Sequence, residues 1–487
     1  MKEQGRAMAH AAPPRISLDW MPYSPTEVAV GHDIDFLDLF WLIRRAHDVC
    51  YMFESVSHPR HQDRFHVIGF DPAVQFSARG DTLQLTGRAD IIEKLTGRRA
   101  DSLTIEGVNP YDYLAQNLKM DRGCRSHQGG LIGFFSHEAM NYFEPSVRLQ
   151  EHPDFEPFRL GLFLDGLILD TVSMSLSYYT FGEDRFDHVR ELIARIGHED
   201  TSGGPVRTTY LGDSETEEGF VRKVAGTQEK ICAGYSFQAE VGMKSFFEVV
   251  GDKFTIYRRL REVNPSPYMF YLRFGEQELF GASPEILISS KSGRILTTPT
   301  AGTIRRGKDA AEDVVLARQL LSDPKEIAEH NMLVDLHRND VSVVAMPGTV
   351  VVEDLMYLIK FSHVQHIVSN VVGVLDPEKN AFDVLRCILP GGVVTGAPKI
   401  ETVKIIDRNE GAPRGPYGGA VGRFGFNGDC DFCLPIRSLF CKGDRCFSQT
   451  SAGVVFDSRP AHEYQEVQRK LAAMRTTLAA FGGDADA

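Results

Sequence analysis

Residues Leu389 to Gly422 read LPGGVVTGAPKIETVKIIDRNEGAPRGPYGGAVG. Gly391-Gly392, Gly396 and Gly418-Gly419 allow positive φ and let a ligand come close to backbone N–H groups. Lys399 and Arg414 stand where the backbone is freest to bend. Between the two turn-rich pieces, Ile400 to Asp407 reads as a short helix, whose first N–H groups would face the preceding loop and suit an anion. Gly391 and Gly396 have the spacing of a phosphate loop. Ala397-Pro398-Lys399 then follows where that loop requires Lys-Ser/Thr. On its residues alone the stretch is two tight turns bracketing a helix, or a ligand-binding loop of another kind.

Outward from it, the chain of 487 residues is too long for one ordinary domain and can bury a large core. A formal net charge of −13 argues against a general nucleic-acid binder. Residues 1–14 lack the apolar run of a secretory signal, and no run of membrane-spanning length follows, so no membrane association is expected. The 8 cysteines do not suggest a disulfide scaffold, and a reducing cytoplasm is the expected compartment. Cys430, Cys433, Cys441 and Cys446 have a spacing that a zinc knot would tolerate. The segment around them reads as two strands joined by Lys442-Gly443-Asp444, where cysteines act as small buried side chains.

Taken in order, two regions are expected, 15–200 and 215–482. His198 to Gly219, polar and rich in Gly, Ser and Thr, reads as the linker between them. Tyr51 to Pro72 is expected to be two strands around a polar loop, and Val263 to Ser283 two β-rich runs around Gly275-Glu276-Gln277. Ser214 and Glu217 have the spacing of a capping box, opening a helix whose Phe220, Val224, Thr227 and Ile231 face the core. Ser236 to Val250 reads as a strand. Asp323-Pro324 opens a helix running to Asn339, with an N-cap followed by Pro at the first turn. Pro460 to Phe481 is the last helix. Its Tyr464, Val467, Leu471, Met474 and Leu478 form an apolar stripe, and Glu463, Glu466 and Lys470 lie on the neighbouring face.

PGGVVTGAPK followed closely by RGPYGGAVG resembles the signature of the chorismate-utilising enzymes, most closely the large subunit of anthranilate synthase. Further strings match in order from about residue 50 to about 475: Gly129 to Glu144, Ser283-Pro284-Glu285, Pro299 to Gly307, Glu329 to Asp340, Ser362 to Ser369 and Gln449 to Ser458. The resemblance implies a two-layer α/β fold with large, mostly antiparallel sheets and outer helices. It also implies a catalytic domain over 215–482 and an N-terminal region that shares an effector site.

Roles follow by the same resemblance. Glu285 is the general acid for the departing C4 hydroxyl, and His366 faces the reacting ring. Gln238 stands where isochorismate and salicylate synthases carry a water-activating lysine, and a glutamine has no titratable proton for that task. Ala301 stands where 4-amino enzymes commonly carry a nucleophilic lysine. Gly302 and Thr303 offer backbone and hydroxyl groups to the substrate. Arg437 pairs bidentately with the enolpyruvyl carboxylate, together with Tyr417. Ala452 and Gly453 belong to a Gly-Ala-Gly turn whose N–H groups bind a carboxylate; here Ser451 replaces the first glycine. Glu329 and Glu466, with Glu463, are Mg²⁺ ligands, and Lys470 binds a substrate carboxylate. Glu54-Ser55 and Asn264-Pro265-Ser266-Pro267-Tyr268-Met269 resemble two halves of one tryptophan site. There Glu54 would take the ammonium, Ser55 the carboxylate, and the apolar residues the indole.

The function so implied is Mg²⁺-dependent conversion of chorismate and ammonia to anthranilate and pyruvate, in tryptophan biosynthesis. A separate glutamine amidotransferase subunit would supply the ammonia, because no G-x-C-x-G glutaminase elbow is present. An enzyme that stops at 2-amino-2-deoxyisochorismate and a non-catalytic chorismate-binding paralogue are the alternatives.

Overall fold

A computed structural model describes residues 13–56, 64–360 and 364–482. Two sheets of twelve strands each dominate it, and every strand pair within them is antiparallel. Strand Val49–Glu54 shows how the sequence builds two layers. Successive side chains of a strand point to opposite faces. Tyr51 accordingly enters the large core that also takes Phe76 and Leu131 of the second sheet, while Cys50 and Met52 face outward. Their partners there are Leu39 and Phe40 of helix Phe36–Ala46, Phe254 and Tyr257 of helix Lys253–Val263, and Met474 of helix Pro460–Ala479. Strand Tyr268–Phe274 repeats the pattern, with Phe270 and Leu272 inward and Met269 and Tyr271 outward. A strand covered on both faces needs a nearly continuous apolar run, as YMF and YMFYL supply. Each such side chain contributes about 1.5–3 kcal/mol on burial.

The sequence divides at 200–215, but the sheets do not. The first sheet joins strands Thr26–His32 through Phe65–Phe70 to Tyr268–Phe274, Arg445–Val454 and Gln238–Gly251. The second joins Val74–Arg79 and Gly130–Phe135 to Ala420–Gly425 and Val364–Val374. The expected linker holds a strand, Val206–Asp213, paired to Gln238–Gly251 from Val206 opposite Gly251 to Asp213 opposite Ser245, with a bulge between Tyr210 and Gly212. Its polar residues fit an edge position, where one side faces water.

Three local expectations are corrected. The helix Glu217–Cys232 is capped by Thr216, which accepts the Gly219 N–H, while Ser214 instead binds the Lys244 backbone. Arg437 precedes strand Ser438–Lys442, at φ 52°, rather than lying on it. Ser451, Ala452 and Gly453 form no turn. They continue strand Arg445–Val454 opposite Gly242, Val241 and Glu240. The helix expected at Ile400–Asp407 spans Lys399–Glu410, and the other helices and hairpins that were expected lie close to their expected ranges. Helices such as Phe36–Ala46, Ala310–Ser322 and Ala381–Ile388 were not read from the sequence.

Cys441 and Cys446 face each other across the hairpin at Lys442-Gly443-Asp444 and form a disulfide, while Cys430 and Cys433 are buried free thiols. With two of the four bonded to each other, the zinc spacing is not used. No helix among the described residues is long and apolar enough to cross a membrane.

Candidate active site

Elements distant in sequence converge where strand Gln238–Gly251 begins. Gln238 and Glu240 are one strand face apart from each other by two residues, so their side chains point the same way. Gly453 lies opposite Glu240, and a Cβ there would sit 2.5 Å from Gln238 Nε2 and 2.8 Å from Glu240 Oε1. The glycine therefore makes room for both side chains. Gln238 Nε2 lies 3.4 Å from Glu240 Oε1 and 3.4 Å from Glu329 Oε1, on helix Pro324–Ser342. That orientation turns Gln238 Oε1 away from both carboxylates, and the atom is buried without a hydrogen-bond partner.

Helix Pro460–Ala479 brings Glu463, Glu466 and Lys470 to the same place. Lys470 Nζ donates to Glu466 Oε1 at 2.8 Å and to the Ser451 carbonyl at 2.8 Å. The surrounding protein works against its charge even though 46% of the side chain still meets solvent, but Glu466 and Glu240 outweigh this and hold its pKa above the usual lysine value. Against the effect of burial, Lys470 in turn holds Glu466 below the usual carboxylate range. Burial raises Glu329, and the nearby Glu466 adds to that. Glu463 is raised by burial and Glu466, with Ser458 opposing. Carboxylates that push one another's pKa upward fit a hard dication, which takes oxygen ligands and keeps several waters. No group of three potential ligands is gathered into a ready cage among the described residues. The donor set therefore fits an ion held through one or two carboxylates.

The second sheet supplies the other wall. Glu285 is 4 % exposed, and burial pushes its carboxyl up to about 8, against the Thr300 N–H and the Arg437 charge. Burial lowers Arg437 in turn, with Glu285 opposing. Strand Thr300–Arg305 carries Ala301, Gly302 and Thr303, and a bulge at Gly302, φ 68°, breaks its register with strand Val364–Val374. Thr303 thereby faces His366. His366 Nδ1 lies 2.9 Å from Thr303 Oγ1 and 3.2 Å from the Gly302 carbonyl. A carbonyl can only accept, so Nδ1 carries the proton and Nε2 is the basic nitrogen. Burial and then Arg437 lower the imidazole to about 4, so it is neutral. Ser362 and His363 of the same string lie outside the described residues.

The opening stretch contributes Tyr417, fully buried, whose hydroxyl lies 2.9 Å from Ser451 Oγ. Its two cations are structural. Lys399 pairs with Asp340 at 2.8 Å and donates to the Ile388 carbonyl. Arg414 pairs with Glu410 and donates to the Val394 and Glu240 carbonyls. Neither serves an anion at the helix N-terminus.

Two residues went unread in the sequence. Glu138 accepts the Arg414 and Gly415 N–H groups and anchors the loop before Tyr417. Burial raises it to about 7. Glu240, 6 % exposed, is likewise raised to about 7, by burial first and by Glu329 and Glu466, with Lys470 and Ser451 opposing. A carboxylate two residues from Gln238, so on the same face of that strand, was the available signal.

The proposed effector halves do meet. Strands Val49–Glu54 and Tyr268–Phe274 pair with Glu54 opposite Met269. A largely apolar cavity beside them is lined by Phe53, Glu54, Pro267, Tyr268, Met269 and Arg423, among others. Ser55, Asn264, Pro265 and Ser266 border this region without lining the cavity; Ser266 accepts the Val56 N–H through its carbonyl. The Glu54 carboxylate already accepts from Tyr257 Oη at 2.9 Å and from Arg261 Nε at 3.1 Å.

Residues 48–476 match the chorismate binding enzyme family. Anthranilate synthase component 1 of Leptospira biflexa is 39% identical over 467 residues, which cover 96% of this chain and 98% of that protein. The protein of the same name from Methanothermobacter thermautotrophicus is 37% identical, covering 92% and 94%. Among solved structures, anthranilate synthase component I from Streptococcus pneumoniae superposes with a TM-score of 0.71 at 29% identity, covering 86% of this chain and 94% of that one. The menaquinone-specific isochorismate synthase of Escherichia coli, at 18% identity and TM-score 0.69, shares the fold. Motifs, fold and relatives agree: this chain belongs to the chorismate binding enzymes, in the family of anthranilate synthase component 1.

Proposed function

We propose that the chain converts chorismate and ammonia to anthranilate and pyruvate, as the aminating component of a two-component anthranilate synthase in tryptophan biosynthesis. The observation that carries this reading is Glu285, a buried carboxyl that keeps its proton up to about pH 8 beside Arg437 and the His366 wall. An acid that must protonate a departing hydroxyl at neutral pH needs that environment.

Arg437 and Tyr417 hold the enolpyruvyl carboxylate, and Lys470 the ring carboxylate. Glu329 and Glu466, with Glu463 in support, would hold Mg²⁺, whose chemistry when bound is that of a Lewis acid on the ring carboxylate. Ammonia bonds to C2, and both ring double bonds shift, from C1=C2 and C5=C6 to C1=C6 and C4=C5. The C4–oxygen bond breaks as Glu285 gives its proton to the departing hydroxyl, which leaves as water, and the added nitrogen releases one proton to become the neutral amine. Elimination of the enolpyruvyl group as pyruvate, with loss of the C2 proton, then yields anthranilate, with neutral His366 near the ring as the available base. Gln238 cannot activate water, and Ala301 cannot attack the ring, so amination at C2 is the supported outcome. Ammonia comes from a separate glutaminase subunit, and tryptophan acts at the Glu54–Met269 cavity.

The test is incubation with chorismate, Mg²⁺ and ammonium, with product identified by mass. Anthranilate and pyruvate in equal amounts are expected. Accumulation of 2-amino-2-deoxyisochorismate would limit the reading to the first half-reaction, and no chorismate turnover would overturn it. Glutamate release from glutamine by the purified chain alone would overturn the separate-subunit assignment.

A further inference from the structure

Tyr417, Ser451 and Glu240 form a chain of three hydrogen-bonding groups. Ser451 Oγ lies 2.9 Å from Tyr417 Oη and 2.5 Å from Glu240 Oε2. All three side chains are buried, at 2 %, 3 % and 6 % exposure, so bulk water does not replace these partners. A serine hydroxyl has one proton to give, and an ionised carboxylate can only accept.

The direction of the chain therefore depends on one proton. With Glu240 ionised, Ser451 donates to Glu240, and the contact to Tyr417 requires the tyrosine to donate to Ser451. Its proton is then spent inward, and only its lone pairs remain for a substrate. With Glu240 protonated, the carboxyl donates to Ser451, Ser451 donates to Tyr417, and the phenol proton is left to donate elsewhere. A substrate carboxylate needs the second arrangement, since it is an acceptor.

We propose that Glu240 is a positioning residue which, through Ser451, sets the donor direction of Tyr417, so that binding of the substrate's carboxylate is coupled to uptake of one proton by Glu240. The inference rests on the reading above that Tyr417 binds a carboxylate of chorismate. It balances simply: one proton moves from solvent to Glu240 as the anion binds, and no bond other than hydrogen bonds changes.

The groups facing Glu240 are compatible with this. Lys470 and Glu466 approach from the last helix, Glu329 from helix Pro324–Ser342, and Arg414 donates to the Glu240 carbonyl rather than to its carboxylate. Gln238 stands between Glu240 and Glu329. Burial is the first cause that raises the Glu240 carboxyl, and Glu329 and Glu466 add a part that a cation held by those two would cancel. What couples the proton to the anion is the buried Tyr417–Ser451–Glu240 chain itself. Gln at 240 would donate its amide to Ser451 permanently and mimic the protonated form. Ala at 451 would cut the chain and leave the Tyr417 proton unclaimed.

The experiment is calorimetry of chorismate binding at pH 8 with Mg²⁺ and no ammonia source, in two buffers of different ionisation enthalpy, for the wild type, Glu240→Gln and Ser451→Ala. Glu285 also titrates near pH 8 in all three proteins, so the readout is the difference: the wild type should take up about one proton per chorismate more than either variant. Steady-state kinetics should agree. The wild-type KM for chorismate should rise up to about tenfold per pH unit above 7, while that of Glu240→Gln stays flat and kcat moves less. Equal uptake in wild type and Glu240→Gln, or the same KM profile in both, overturns the proposal. Should Glu240→Gln melt early, an unchanged profile in Ser451→Ala overturns it as well. A wild-type chain that binds no chorismate overturns the underlying reading, and this inference with it.

Discussion

The two carboxylate-bearing regions of the molecule differ in how far their charges are answered. In the cleft, Glu240, Glu285, Glu329 and Glu463 all hold their protons more tightly than a carboxylate in water, Glu285 through burial alone and the other three through burial with repulsion from neighbouring carboxylates added. At the cavity between the two sheets, Glu54 is just as buried, yet Tyr257 and Arg261 satisfy it. One region stores electrostatic need that a substrate and a cation can answer. In the other the carboxylate is answered, and what a ligand meets is an apolar wall beside the buried Arg423 guanidinium, whose Nη1 and Nη2 have no hydrogen-bond partner among the described residues. The difference predicts opposite responses to the same substitution, Glu to Gln.

The largest effect is expected at Glu285. Glu285→Gln removes the proton donor while keeping shape, and kcat should fall by roughly 10²–10⁴-fold, the usual weight of general acid catalysis. The sign of the pH dependence follows from a raised pKa. The acid form is present below about pH 8 and is lost as pH rises through it, so wild-type kcat should decline on that alkaline limb. A Glu285→Gln enzyme of normal rate, or a kcat flat to pH 9, would break the assignment.

Next come the metal carboxylates. Glu329→Gln or Glu466→Gln should lower activity by roughly 10²-fold, in line with the several kcal/mol a metal ion supplies, and chelation of the wild type should do the same. The two variants should separate in stability. Glu329 is raised, so its ionised form is disfavoured in the fold, and Glu329→Gln without metal should melt slightly above the wild type. Glu466 is lowered by Lys470, so Glu466→Gln should not gain. Full activity in a chelator would remove the metal from the scheme.

Glu54→Gln should do the reverse of Glu329→Gln, leaving catalysis nearly intact while destabilising the fold. It removes the charge that Arg261 and Tyr257 bind in a buried place, a loss on the order of 1–3 kcal/mol. Denaturant unfolding measures it. A variant as stable as the wild type would show that the cavity carboxylate is not satisfied after all.

How much of this was legible in the sequence follows from the kind of pattern each feature leaves. Helix Pro324–Ser342 announced itself by Asp323-Pro324, and the last helix by its stripe, because caps and periodicity are local. The pairing of Glu54 with Met269, across more than two hundred residues, was reached only because two short strings resembled one site. Strand Val206–Asp213 was missed because an edge strand with a polar face reads like a linker. The Ser451–Gly453 segment was expected to be a turn only because it resembled the family's Gly-Ala-Gly string, whereas it runs on as strand and Gly453 serves close packing against Gln238 and Glu240. Glu240 was passed over because nothing in one sequence says that a carboxylate on a buried strand faces a hydroxyl rather than solvent.

The smallest effect on turnover is expected at the cavity. Its apolar wall of Phe53, Pro267 and Met269 suits an indole. A tryptophan ammonium there would have to share Glu54 with Arg261, so affinity should come mainly from the ring. The route to catalysis is short. Tyr268, which lines the cavity, pairs directly with Ser283, and Ser283 Oγ accepts the Glu285 N–H and donates to the Leu434 carbonyl. A ligand that displaces Tyr268 thus acts two residues from the acid. For tryptophan to inhibit, it must bind a low-activity arrangement better than the active one, and chorismate must then weaken tryptophan by the same factor, typically 5–150-fold. Calorimetry of tryptophan with and without chorismate should show this reciprocity. Ser55→Phe, or Pro267→Ala in the lining itself, should relieve inhibition while kcat changes less than about twofold, the additivity expected of sites that do not touch the reacting groups. Tryptophan that binds with the same affinity whether or not chorismate is present would uncouple the two regions, and tryptophan that does not bind would leave the cavity as packing alone.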